Sequence, residues 1–233
     1  MIVHSQTVFT EPHLVTPQGV LVRPADDRTY PGVVLIQEWW GFEPHIHDVA
    51  QRLAREGFVV LVPDLYHGEI ANEPTDAQKL VMMMWDNVER VLKEVESSLE
   101  YLRRNAGVSP KKLGIMGFCM GGTVAFKMAC RYPHLGAVSP WYGGRIDPNA
   151  EDLSMINAPI MAIYGELDAG IPLDRVAQLE KAVKDAGKEI SVHVYKGAGH
   201  AFLNNTHGSY HDEAAKDAWD KAVSFLKQNL KPS

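Results

Sequence analysis

Six short apolar runs, most of them rich in branched residues, punctuate the chain, at residues 33–36, 58–62, 113–116, 137–141, 160–164 and 190–195. Runs of this length and composition, separated by segments of helical spacing, predict buried strands. The segments between them carry helical spacing. Ile46, Val49, Ala50 and Leu53 fall on one side of a helix that Gly57 ends. Residues 75–104 read as helix in two pieces that meet near residues 85–87, with Val88, Val91, Leu92, Val95, Leu99 and Leu102 as one apolar stripe. Further helices are predicted over 121–131, 173–186 and 212–230. Strands that alternate with helices imply a mostly parallel sheet covered by helices, an α/β fold. The N-terminal segment differs: residues 7–10 and 20–23 flank Pro17, Gln18 and Gly19 as a hairpin at the sheet's edge.

At 233 residues, with no repeat, low-complexity tract or linker, one domain spanning 1–233 is expected. The formal charge of −6 comes without a clustered run of Lys or Arg, which argues against nucleic acid or an anionic membrane as partner. A small molecule fits better, and the oligomeric state is left between monomer and small homo-oligomer. The first ten residues lack the basic start and apolar core of a signal peptide. Two cysteines, Cys119 and Cys130, build neither a disulfide framework nor a cysteine zinc site, so a cytoplasmic location is expected. His45 and His47, or His207 and His211, have no metal-site spacing with an acidic partner, and no metal or cofactor is expected. Met82, Met83 and Met84 read as core and pocket wall, and Cys130 as packing.

The chemistry concentrates after the run at 113–116, where Gly117-Phe118-Cys119-Met120-Gly121-Gly122 leads straight into a helical segment. A G-x-C-x-G turn between strand and helix is a nucleophile elbow: the central residue is held in a strained conformation and the flanking glycines permit the close packing this requires. At a helix N-terminus, free amides and the helix dipole favour a thiolate and leave donors for an oxyanion. The amide of Met120 is one candidate donor. The second is Trp39, in the loop Gln37-Glu38-Trp39-Trp40-Gly41 after an earlier strand. Taken alone, the motif also fits a buried core thiol in a glycine-rich turn.

Such a nucleophile needs an acid and then a histidine, each in a loop that follows a strand. Residues 160–164 run into Gly165-Glu166-Leu167-Asp168, and residues 190–195 into Lys196-Gly197-Ala198-Gly199-His200. His200 is the candidate base. Asp168 is the preferred acid because its loop has the length to return over the strand end, with Glu166 as the alternative. Tyr142 and Arg145 follow a further strand end and are placed to line the pocket.

With these residues in place, the chain resembles the dienelactone hydrolase family of the α/β hydrolases. The likeness rests on Ile36-Gln37-Glu38-Trp39-Trp40-Gly41, Val62-Pro63-Asp64-Leu65-Tyr66, the Cys119 elbow and Gly197-Ala198-Gly199-His200-Ala201-Phe202. It implies an α/β-hydrolase fold and attack of the Cys119 thiolate on a lactone or short ester, with a thioester intermediate hydrolysed through His200. It also implies that Glu38 contacts the resting thiol and takes part in its activation. Trp85, Tyr142, Arg145, Phe202 and Asn204 are the candidate substrate contacts. Members selective for a carboxylated lactone carry arginine where this chain has Asn204, and a second arginine corresponds to Gln78. Neutral substrates are therefore expected to be preferred. The rival readings are a general carboxylesterase or thioesterase on the same fold, a thiol redox protein built on Cys119, and a binding protein that keeps the pocket without turnover.

Overall fold

A computed structural model describes residues 2–9, 18–109 and 112–231. Thr10 and Pro17 of the expected hairpin turn lie outside the described residues. In chain order the elements are β1 (Val3–Phe9), β2 (Gln18–Pro24), β3 (Gly32–Ile36), α1 (Pro44–Arg55), β4 (Val59–Pro63), α2 (Pro74–Asp86), α3 (Val88–Arg104) and β5 (Leu113–Phe118). They continue with α4 (Met120–Ala129), β6 (Leu135–Trp141), α5 (Ala150–Met155), β7 (Ile160–Gly165), α6 (Leu173–Asp185), β8 (Ile190–Tyr195) and α7 (Asp212–Asn229).

The strands form one eight-stranded sheet in the order β1-β2-β4-β3-β5-β6-β7-β8. The first two pair antiparallel with each other, β2 is antiparallel to β4, and the pairs from β4 through β8 are parallel. This is the α/β-hydrolase fold, with helices around the sheet. The strands β3, β4, β5 and β6 are buried along their whole length, as strands covered on both faces must be, and Ser139, the polar side chain among them, accepts from Trp141 Nε1 at 3.0 Å. Arg52 of α1 lies 3.9 Å over the ring of Trp219 in α7, and Arg131 at the end of α4 binds Glu89 of α3 at 2.8 Å. These contacts tie neighbouring helices together above the core.

Three expectations need correction and one element was not expected; the first concerns 190–195, expected as a buried strand, which is β8 at the sheet's edge and is buried only at Ile190. Gln18 and Gly19 are the first residues of β2, paired with Phe9 and Val8, because the hairpin register continues through them. The short α5 went unpredicted. Asn149 and Asp152 cap it reciprocally, the Asn149 carbonyl oxygen accepting from the Asp152 amide at 2.9 Å, but six residues are too few to show a period. Of the three methionines in α2 only Met84 is buried. It lies seven residues after Ala77 on the inner stripe, whereas Met82 and Met83 are 57% and 60% exposed.

Candidate active site

Cys119 ends the turn from β5 into α4 with φ 56° and ψ −119°, a backbone region that a side-chain-bearing residue enters only at a cost. Packing imposes this geometry. A Cβ on Gly117 would stand 2.1 Å from the Gly121 carbonyl oxygen, and one on Gly121 would stand 2.4 Å from that of Gln37. The second approach presses the start of α4 against the loop after β3. Trp39 and Met120 both line the cleft above Cys119. Among the described residues, no backbone or side-chain acceptor engages the amides of Trp39 and Met120, so both remain free to donate.

His200 follows β8 and Asp168 follows β7, each in the loop that leaves its strand. Asp168 Oδ2 accepts from His200 Nδ1 at 2.6 Å, and the carboxylate is almost wholly buried, at 1% exposure. Glu166 is occupied elsewhere: its Oε2 accepts from the Gly197 amide at 2.9 Å on the surface. Burial of the imidazole works against its protonated form, yet the hydrogen bonds to Asp168 and Cys119 outweigh this and push the His200 pKa up to about 10. Cys119, Asp168 and His200 thus line the same cleft. Cys130 is separate from them: burial pushes its thiol up to about 12.

Glu38 sits behind this set, 1% exposed. Its Oε1 accepts from the Tyr142 hydroxyl at 3.5 Å and its Oε2 from Asn204 Nδ2 at 2.7 Å, so both oxygens have partners other than the thiol. Burial, against the help of Asn204, raises its pKa to about 7. Sequence reasoning missed a further participant. Glu43, just before α1, accepts from the same Asn204 Nδ2 at 3.2 Å. No local signal in the sequence joins two residues so far apart along the chain.

The cleft over Cys119 encloses about 870 Å³. Trp39, Trp85 and Tyr142 line it as expected, together with Val81, Leu167 and Ile171. Arg145 is the one Lys or Arg among its lining residues, and no ion pair or hydrogen bond engages it among the described residues. Phe202 and Asn204 are fully buried and do not line the cleft, and Gln78 lies exposed on α2 outside it. The expectation about substrate charge rested on Asn204 facing the substrate, and this placement removes its ground. His207 and His211 also part company, His207 reaching Glu43 while His211 Nδ1 accepts from the Ala214 amide at the start of α7. No helix of the described residues is long and apolar enough to cross a membrane.

The dienelactone hydrolase family matches the chain over residues 18–230. Protein usf of Aquifex pyrophilus is 38% identical over 205 residues, covering 86% of this chain and 89% of that protein. A protein of Aquifex aeolicus that carries a provisional carboxymethylenebutenolidase name is 38% identical over 212 residues, with the same coverage of 86% and 89%. Among solved structures, a Klebsiella pneumoniae protein described provisionally as a dienelactone hydrolase superposes with a TM-score of 0.87 at 28% identity, covering 98% of this chain and 100% of its own. A dienelactone hydrolase-like promiscuous phosphotriesterase from metagenomic libraries has a TM-score of 0.90 over 98% of this chain and 99% of its own, and at 19% identity it bears on the fold alone. A match over nearly the whole chain, on a fold that brings the elbow cysteine to a histidine and an acid, identifies the chain as a hydrolase of the dienelactone hydrolase family.

Proposed function

We propose that the chain hydrolyses lactones or short carboxylic esters through Cys119, with His200 as acid and base and Asp168 holding the imidazole. The observation that carries this reading is the hydrogen bond between His200 and a buried Asp168 beside the elbow Cys119, in one cleft that Trp39 and Met120 also line. The Cys119 thiolate adds to the substrate carbonyl carbon, and the amides of Trp39 and Met120 receive the developing oxyanion. Collapse breaks the carbon–oxygen bond, and the leaving alkoxide takes a proton from the His200 imidazolium. From a lactone, that alcohol stays tethered to the acyl group. His200 then takes a proton from water as it attacks the thioester, the carbon–sulfur bond breaks, and the thiolate returns with release of the acid.

A soluble-substrate assay with a panel of lactones and esters tests the assignment of roles. Asp168→Asn and His200→Ala are each expected to lower kcat by ~100-fold or more with a smaller change in KM, while Glu166→Gln stays near wild type. Loss of activity in Glu166→Gln with Asp168→Asn unimpaired would exchange the two acids. A redox reading is disfavoured by Cys130, whose raised pKa makes it a poor resolving thiol.

A further inference from the structure

We propose that Glu43 is a positioning residue for Glu38: bridged to it by the Asn204 side chain, Glu43 opposes ionisation of Glu38 by its charge and so raises the pH at which Glu38 loses its proton. The inference rests on the proposed activity only for its effect on turnover.

The geometry is closely determined. Asn204 Oδ1 accepts from the Thr206 amide at 2.9 Å and from the Thr206 hydroxyl at 2.6 Å, which fixes the amide orientation and directs Nδ2 towards the two carboxylates. One nitrogen then serves Glu38 Oε2 at 2.7 Å and Glu43 Oε1 at 3.2 Å. Asn204 is fully buried, so water does not screen the pair it joins. Two carboxylates on one neutral donor do not both ionise cheaply, and the surroundings decide which takes the proton.

Glu43 is the better placed of the two to meet positive charge. It stands at the positive end of α1 without capping it, and its Oε2 lies 3.5 Å from Nε2 of His207, which stacks on Trp40 and is 37% exposed. Glu38 is deeper. Around it stand the Tyr142 hydroxyl at the end of β6, the Asn204 amide after β8, Glu43 before α1, and the His200 imidazole. Of these, Glu43 is the one that opposes ionisation by its charge. The Asn204 amide that joins the two carboxylates carries no charge to offset their repulsion.

Infrared difference spectra of protein labelled with ¹³C at glutamate carboxyls read the proton directly. In the wild type a protonated-carboxyl band, absent from Glu38→Gln, is expected to titrate near neutral pH. In Glu43→Gln its midpoint is expected to fall by roughly one to two pH units, and in Glu43→Asp, which keeps the charge, to stay close to wild type. The limb of the kcat/KM pH profile that Glu38→Gln removes should move with the band. A Glu38 band that titrates in the ordinary carboxylate range in wild type, or a midpoint that Glu43→Gln leaves in place, overturns the proposal. The spectra need no turnover. A chain that hydrolyses no ester or lactone therefore contradicts the proposed activity, whereas an unmoved midpoint contradicts the role of Glu43 alone.

Discussion

Glu38 shows how one residue's surroundings can make its chemistry costly to the fold. Its pKa is raised from 4.5 to about 7, with burial the leading cause, so between those values the folded chain holds a proton that the unfolded chain has lost. The stability this proton confers is complete below the unfolded pKa and is lost as pH rises through about 7. Glu38→Gln, which cannot ionise, should therefore be more stable than wild type at pH 8 by on the order of 3 kcal/mol, and the gain should shrink towards pH 5. Urea denaturation of both proteins at the two pH values measures it. A gain that grows towards acid would mean that Glu38 is stabilised in its charged form. At this scale the sequence revealed what lies in contiguous motifs. Cys119 and His200 stand out because glycines shape the turns around them, whereas the choice between Asp168 and Glu166 needed the direction of two side chains in one short loop. Glu43 was illegible because its partner Asn204 lies far along the chain and meets it only after β8 has paired with β7.

The elements place the chemistry through a few close backbone approaches. The start of α4 reaches the loop after β3 because residue 121 has no side chain, and this contact sets the spacing between the Met120 and Trp39 amides. In Gly121→Ala the new Cβ would meet the Gln37 carbonyl oxygen, a backbone atom with little room to give. A cost of about 1–3 kcal/mol is expected, together with a fall in kcat larger than the change in KM, since the two amides proposed as oxyanion donors would separate. Thermal unfolding and steady-state kinetics on one preparation test this, and an unchanged kcat would remove that contact from the account. Strands and long helices were legible because burial imposes apolar runs and period on them. Asn87, with φ −122° and ψ 33°, divides α2 from α3 within the expected break, and Gly57 at φ 93° ends the turn after α1. The six-residue α5 escaped because its one strong signal was a capping pair.

Across the whole molecule, the loops leaving β3, β5, β6, β7 and β8 gather around one cleft, where a parallel sheet presents the carboxyl ends of its strands. The fold and the position of the cleft followed from the order of strands and motifs. Its walls did not, since Leu167, Ile171 and Tyr210 carry no periodic signal. Arg145, without an ion pair or hydrogen bond among the described residues, leads us to expect a preference for substrates whose far end bears an anion, the reverse of the expectation drawn from Asn204. Arg145→Ala should lower kcat/KM for an ester with a distal carboxylate by about 10-fold, the effect of ~1.4 kcal/mol, and leave its neutral methyl-ester counterpart within about 2-fold. Equal losses on both substrates would assign Arg145 to the shape of the cleft. The covalent step is the centre of the account, and rapid acid quench of the wild type during turnover of a chromogenic ester, followed by peptide mass spectrometry, tests it most directly. The expected result is the acyl mass on the Cys119 peptide, appearing with a burst of released alcohol and absent from the Cys130 peptide; turnover with acyl mass on another side chain, and none on Cys119, would contradict it.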